Sequence, residues 1–246
     1  PHEEAPGVSA DHGLSERAYS ALKHDLVEGH LPTGRVRIAY LVDRYRSSAT
    51  PIREAMLRLV GEGLLEMPGG GGFVIPVLDE TTVRHLYALS ICTMLEAVNH
   101  TAAGREFPLD HTFCSRIDSI EKLFESIAEQ KGNPFFLSRM RRLNDKMRRI
   151  RRAEQSTLKG MGGEFSALVE QIERGKRTAI RRSLVAYHRR RIRHLREIMA
   201  ALRREHEGGR APAPFAGASA PGCLHRRELG VAPESRFDNC ARRRFY

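Results

Sequence analysis

No apolar run in this 246-residue chain approaches the ~18 residues of a membrane span. The N-terminal stretch also lacks the basic-then-apolar pattern of a signal peptide. Both absences predict a soluble, cytoplasmic protein with no membrane partner. Four cysteines, Cys92, Cys114, Cys223 and Cys240, form no CxxC pair and have no His at zinc-finger spacing. Two fall in expected helices and two in a polar tail, which reads as free thiols. Catalytic signatures are missing as well. The glycines Gly69 to Gly72 lack the Lys and Ser or Thr that complete a P-loop, and they lie between strands instead of before a helix. No GxSxG elbow or HExxH pair occurs, and Asp110 beside His111 reads as a solvated loop pair. The expectation is a non-enzyme with no cofactor and no metal.

What the chain has in excess is positive charge, +11 at pH 7. Such a balance points to an acidic partner. Its distribution narrows that inference: residues 14–78 hold 8 Lys or Arg against 7 Asp or Glu, whereas residues 139–207 hold 21 against 8. Two basic runs account for much of this, Arg139 to Arg152 on one expected helix and Arg189 to Arg196 on another. A solvated helix face is the default reading of each, and phosphate contact or an anionic effector the alternative.

The most informative stretch is Leu41 to Val77, LVDRYRSSATPIREAMLRLVGEGLLEMPGGGGFVIPV. It reads as helix, tight turn, helix and hairpin, the outline of a winged helix-turn-helix. The second helix is expected to start at Thr50, with Pro51 just inside it and Ser48 or Thr50 capping. Ile52, Ala55, Met56, Leu59 and Val60 recur at three- and four-residue spacing, so one face packs inward and Thr50 and Arg53 remain free. A major-groove reader needs free polar groups at that end. The LLEM and FVIPV runs, joined by four glycines, make the expected wing. A first helix from Leu14 to His30 precedes them, ended by the LPTG turn, and Arg35 and Arg37 after it could meet phosphate.

From Leu14 to Val77 the chain resembles the DNA-binding domain of GntR-family transcription regulators. The LSERAYSALKHDLVEGHLPTG lead-in, the TPIREAMLRL helix and the EGLLE run match in order. The resemblance implies that Arg44, Thr50, Arg53 and a wing glycine, Gly70 or Gly71, approach DNA, with Arg35 a phosphate candidate. The family usually has Arg where this chain has Ala49.

Residues 79–207 read as one all-helical domain, with helices near Asp79–Gly104, Thr112–Lys131, Pro134–Glu154, Gly163–Gly175 and Lys176–His206. KGNPFFLSRM, EFSALVEQIERGK and a final helix carrying a His make it resemble the ligand-sensing, dimerising FCD domain of the FadR subfamily. Many relatives hold a metal there through an Asp and a His four residues apart on one helix, a second His opening the EFSALVEQ-like helix and a third His on the last. By register those positions fall on Ile120, Phe124, Phe165 and Tyr187, none a good ligand, with His188 one residue off. This predicts a sensor that has lost its metal and takes either an unknown organic acid, a more apolar effector, or none.

The expected architecture is mainly α: a flexible arm over 1–13, a winged helix-turn-helix over 14–78, a helical effector-binding and dimerisation domain over 79–207, and a disordered tail over 208–246. The expected function is a ligand-responsive repressor that binds double-stranded DNA as a homodimer at an inverted repeat. The competing reading is a helical dimerisation protein whose degenerate winged domain binds DNA only non-specifically.

Overall fold

Apolar residues at helical spacing fold the first third of the chain around one small core. α1 (Gly7–Val27), β1 (Gly34–Val36), α2 (Ile38–Tyr45), α3 (Ala49–Gly61) and β2 (Phe73–Ile75) follow in order. Ala18, Tyr19 and Leu22 of α1 meet Leu41 of α2 and Ile52, Ala55, Met56 and Leu59 of α3, all buried. Each large aliphatic side chain fully buried in this way contributes roughly 1.5–3 kcal/mol. The structure, a computed structural model, describes the backbone of residues 7–99 and 116–208 and the side chains of 13–99 and 117–205. Cys114, Cys223, Cys240, Asp110, His111 and residues 209–246 of the tail lie outside the described residues, and Cys92 is an exposed free thiol.

Two expectations for this domain change. Residues 7–13, read as part of a flexible arm, belong to α1. The wing is not a simple LLEM–FVIPV hairpin. β2 pairs antiparallel with β1, Arg35 opposite Val74, and the earlier run contributes only the bridge between Glu66 and Val74. The three-residue GRV strand, not expected from the sequence, is therefore a partner of the wing.

The remaining helices are α4 (Glu80–Asn99), α5 (Arg116–Glu129), α6 (Pro134–Thr157), α7 (Met161–Glu173), α8 (Arg177–Arg193) and α9 (Leu195–Gly208). Local chemistry starts two of them. Asp79 Oδ1 accepts from the Thr82 N–H ahead of α4, and the Asn133 side chain accepts from the Phe135 N–H with Pro134 at the first position of α6. The single helix expected over 176–206 is two, broken at His194, where φ is −100° and ψ 21°. The break has no Pro or Gly to announce it. It lets Leu195, Ile198, Met199 and Leu202 join the core that Met94, Leu123, Phe124, Met147 and Ile150 build from α4, α5 and α6.

The winged domain and the helical domain meet along α1 and α6. Glu28 pairs with Arg148, 2.5 Å from Nε, and with Arg152, which also donates to the Glu28 carbonyl at 2.8 Å. Lys23 bridges Glu62 and Asp145, 2.9 Å from each. Gly29 is favoured at the end of α1 by its backbone, and any side chain there would also have to displace the Arg149 side chain. Its φ is +74°, and a Cβ there would lie 2.5 Å from Arg149 Nε.

Between α2 and α3 the chain turns through Arg46, the one described non-glycine residue at positive φ, +48°. A left-handed residue with a Cβ costs about 1–2 kcal/mol, partly offset in glycine by its freer unfolded chain. Arg46→Gly is expected to raise stability by about 0.5–1 kcal/mol in chemical denaturation.

Candidate nucleic-acid interface and helical-domain cavity

α3 presents its polar side outward because its apolar side is consumed by α1 and α2. Ala49, Thr50 and Arg53 are exposed at its N-terminal end, Ser48 occupies the cap position without a side-chain hydrogen bond, and Pro51 is buried. Further along, Glu54 accepts from Ser15 and Arg58 pairs with Glu16, so these two belong to the contact with α1. Arg53 makes no ion pair with a described residue and keeps all five donors for another partner. Arg35, Arg37 and Arg46 are exposed too.

The wing places Arg35 beside its glycines. A Cβ on Gly72 would stand 3.7 Å from the Arg35 guanidinium. Gly71 and Gly72 have φ of +77° and +82°, and the Gly71 N–H donates to Pro68 at 2.8 Å. Gly70 differs: its φ is ordinary, and a Cβ there would meet nothing within 4 Å. Nothing inside the described chain requires a glycine at 70.

Arg44 occupies a different setting from Thr50 and Arg53. Its side chain is 14% exposed, and its Nε and Nη2 donate to Asp25 Oδ2 at 3.0 and 2.8 Å. Tyr45 donates to the same oxygen at 2.8 Å, and His30 Nδ1 lies 3.2 Å from Oδ1. Burial alone would raise the Asp25 carboxyl; hydrogen bonds from Arg44, Tyr45 and His30 outweigh it and hold the group below its usual range. In this conformation Arg44 tethers α2 to α1. Removing one member of such a shielded pair costs about 3 kcal/mol.

In the helical domain Ile120, Phe165 and Tyr187 line one cavity of about 20 Å³ together with Ile117, Arg151, Glu154, Gln155, Met161 and Arg191. That volume suits a single water. Phe124 sits edge-on to Tyr187 at 5.5 Å and stacked on His188 at 6.0 Å. The aligned positions therefore do converge, but the wall is not the greasy one expected. Arg191 is buried, with Nε 2.9 Å from Glu154 and Nη1 2.9 Å from Glu164, and it stacks over Tyr187 at 3.3 Å. Tyr87 donates to the other Glu154 oxygen at 2.6 Å. Arg151 bonds Glu121 and Asn144, 2.9 Å to each, and its buried Nε has no partner among the described residues.

The solvated-face reading of the basic runs holds for Arg139, Arg141, Arg142, Arg189, Arg193 and Arg196, which are exposed, and fails for the rest. Arg151 and Arg191 are buried, and Arg148 bonds Glu28, Asp118 and Glu121. Sequence periodicity could not show this, because the acidic partners lie on other elements, Glu28 just past the end of α1 and the others on α5, α6 and α7. His188, one residue off the ligand register, is a core residue. Its Nδ1–H donates to the Leu184 carbonyl at 2.8 Å, so Nε2 accepts from the Ser90 hydroxyl at 2.9 Å. Burial pushes it down to about 4.

Residues 14–75 match the family of bacterial regulatory proteins called the gntR family. That match covers the helices and strands of the winged domain and makes it similar to a gntR-family helix-turn-helix. A stretch of 89 residues is 33% identical to an uncharacterised HTH-type transcriptional regulator, BphR, of Paraburkholderia xenovorans (strain LB400), a match over 36% of this chain and 36% of that protein. The whole fold is similar to E. coli McbR/YncC, with a TM-score of 0.51 at 19% identity, over 75% of this chain and 97% of that one. It is also similar to the GntR chain from Rhodococcus sp. RHA1 solved by structural genomics, with a TM-score of 0.58 at 14% identity, over 76% and 98%. At those identities the likeness is one of fold: a gntR-type winged domain followed by a helical domain.

Two outcomes are expected. Arg44→Ala lowers unfolding free energy by about 3 kcal/mol, while Arg53→Ala, at an exposed unpaired site, changes it by less than about 0.5 kcal/mol; urea titration distinguishes them. Because unfolded His titrates near 6.5 and His188 near 4, the unfolded state binds more protons between those values. Its contribution to stability is therefore lost as pH falls below 6.5, at roughly 1 kcal/mol per unit. His188→Gln removes this part of the slope between pH 5 and 6.5.

Proposed function

We propose that this protein is a transcription regulator that binds operator DNA through the gntR-type domain and responds to a small ligand in the helical domain. The observation that carries the first half is the free N-terminal end of α3, where Thr50 and Arg53 are exposed while its other face is buried. Arg53 and Thr50 are the readers of base edges or adjacent phosphates. Arg35 approaches phosphate beside the wing, and Gly70 and Gly71 let the wing backbone come close to the minor groove. Arg44 sets the angle of α2, with any contact of its own to DNA made from the Asp25-bound position.

The helical domain fits an FCD-type sensor and dimerisation unit, and a homodimer would read an inverted repeat whose two-fold matches its own. Repression follows if effector binding separates the two readers from their half-sites, which requires different effector affinity for the two arrangements. The aligned residues Ile120, Phe165 and Tyr187, backed by Phe124 and His188, mark the effector pocket; their cavity holds no more than a water as it stands, so an effector enters only as this wall opens. Arg191 and most of Arg151 are already paired with carboxylates, and the one buried guanidinium donor left among the described residues for a small organic acid is the Arg151 Nε.

Arg53→Ala tests the reading directly in a gel-shift titration against the selected operator at physiological salt. Loss of a base-edge contact weakens binding by about tenfold or more, and loss of a phosphate contact lowers the salt slope by about one. Unchanged affinity and slope would refute the role of α3. Gly70→Ala, which the fold accommodates without strain, is expected to leave the melting temperature unchanged and to weaken the operator complex.

A further inference from the structure

We propose a transition-metal site at the end of α1, formed by His24, Asp25 and His30. One potential ligand atom from each of these residues lies within 4.8 Å of the other two. Adjacent helical residues diverge by about 100°, so His24 and Asp25 alone would not converge. His30 closes the gap. Gly29 at φ +74° turns the chain back over the helix end, and the His30 N–H donates to the Asp25 carbonyl at 2.8 Å. The two imidazoles then meet edge-on with centroids 5.8 Å apart.

The distances suit a first-row ion. Ligand atoms about 2 Å from a tetrahedral centre stand roughly 3.3 Å from one another. His30 Nδ1 and Asp25 Oδ1 are 3.2 Å apart, sharing in the metal-free chain the hydrogen bond that the ion replaces as the imidazole proton moves to Nε2; both rings are exposed, so closing the remaining gap takes rotation of the histidine side chains. The carboxylate is also oriented as a ligand should be. Its Oδ2 is taken by Arg44 and Tyr45, which leaves Oδ1 turned toward the histidines, with an outer shell of the kind that fixes ligating carboxylates.

The neighbouring guanidinium selects the ion. Arg44 offsets the Asp25 charge, which disfavours hard cations that rely on carboxylates and leaves the imidazoles as the main donors. Zn²⁺ fits this set, with the fourth tetrahedral position left to solvent. The ion would sit on the turn from which Asp25 holds α2, apart from the cavity in the helical domain.

The test uses the untagged full chain stripped by chelator and dialysis, with Zn²⁺ titrated against a chromophoric competitor. One saturable equivalent, bound more tightly than about 100 µM, is expected. His24→Gln/His30→Gln should weaken that equivalent at least tenfold with an unchanged melting curve for the metal-free protein, whereas His85→Gln, an exposed control on α4, should bind like the parent. Weak non-saturating uptake, or an equivalent retained in the double variant, would overturn the site.

Discussion

Every feature the winged domain presents depends on the charged last turns of α1. Asp25 holds α2 through Arg44 and Tyr45, Lys23 ties the end of α3 to α6 through Glu62 and Asp145, and Glu28 is gripped by Arg148 and Arg152. The Asp25–Arg44 pair is shielded on both sides, so leaving one member single costs about 3 kcal/mol; the Lys23 and Glu28 pairs are half-buried, and solvent screening makes each worth less. Apolar contact between α1 and α3 alone would tolerate sliding. The ion pairs fix which way the helix-turn-helix faces relative to the helical domain.

The positive charge of the chain looks different in that light. A buried pair such as Arg191 with Glu154 adds little net stability over an apolar isostere, because desolvation offsets attraction. Its effect is on arrangement. Arg148 reaches Glu28 of the winged domain as well as Asp118 and Glu121 of α5, and Glu121 in turn bonds Arg151 at the cavity wall. One chain of charged groups therefore runs from the helical-domain cavity to the end of α1. A ligand that repositioned Arg151 would act on the element that carries the reader.

Local periodicity made much of the fold legible. Ile52, Ala55, Met56 and Leu59 recur at helical spacing, and α3 follows within a residue of the expected start. The β1 strand was not legible, since Gly34, Arg35 and Val36 are too few to show alternation and pair only because β2 comes back to them. Arg44 and Arg53 look alike in sequence; only the position of Asp25, far back in the chain, separates a tether from a free side chain. The helix break at His194 has no local cause and comes from the core that α9 completes. The convergence of Ile120, Phe165 and Tyr187 followed from family resemblance, while the two arginines in the same wall come from basic runs that periodicity assigns to solvent. His24, Asp25 and His30 are not legible as a group in the sequence, because a turn, not a motif spacing, brings them together.

The central claim is that the free end of α3 reads a defined DNA sequence in a two-fold assembly. The most direct measurement is selection from a random duplex pool by the purified full chain, repeated at increasing salt. The account predicts recovery of an inverted repeat whose enrichment survives physiological ionic strength. A pool without a common motif, retained only at low salt, would contradict it and leave the winged domain a non-specific binder.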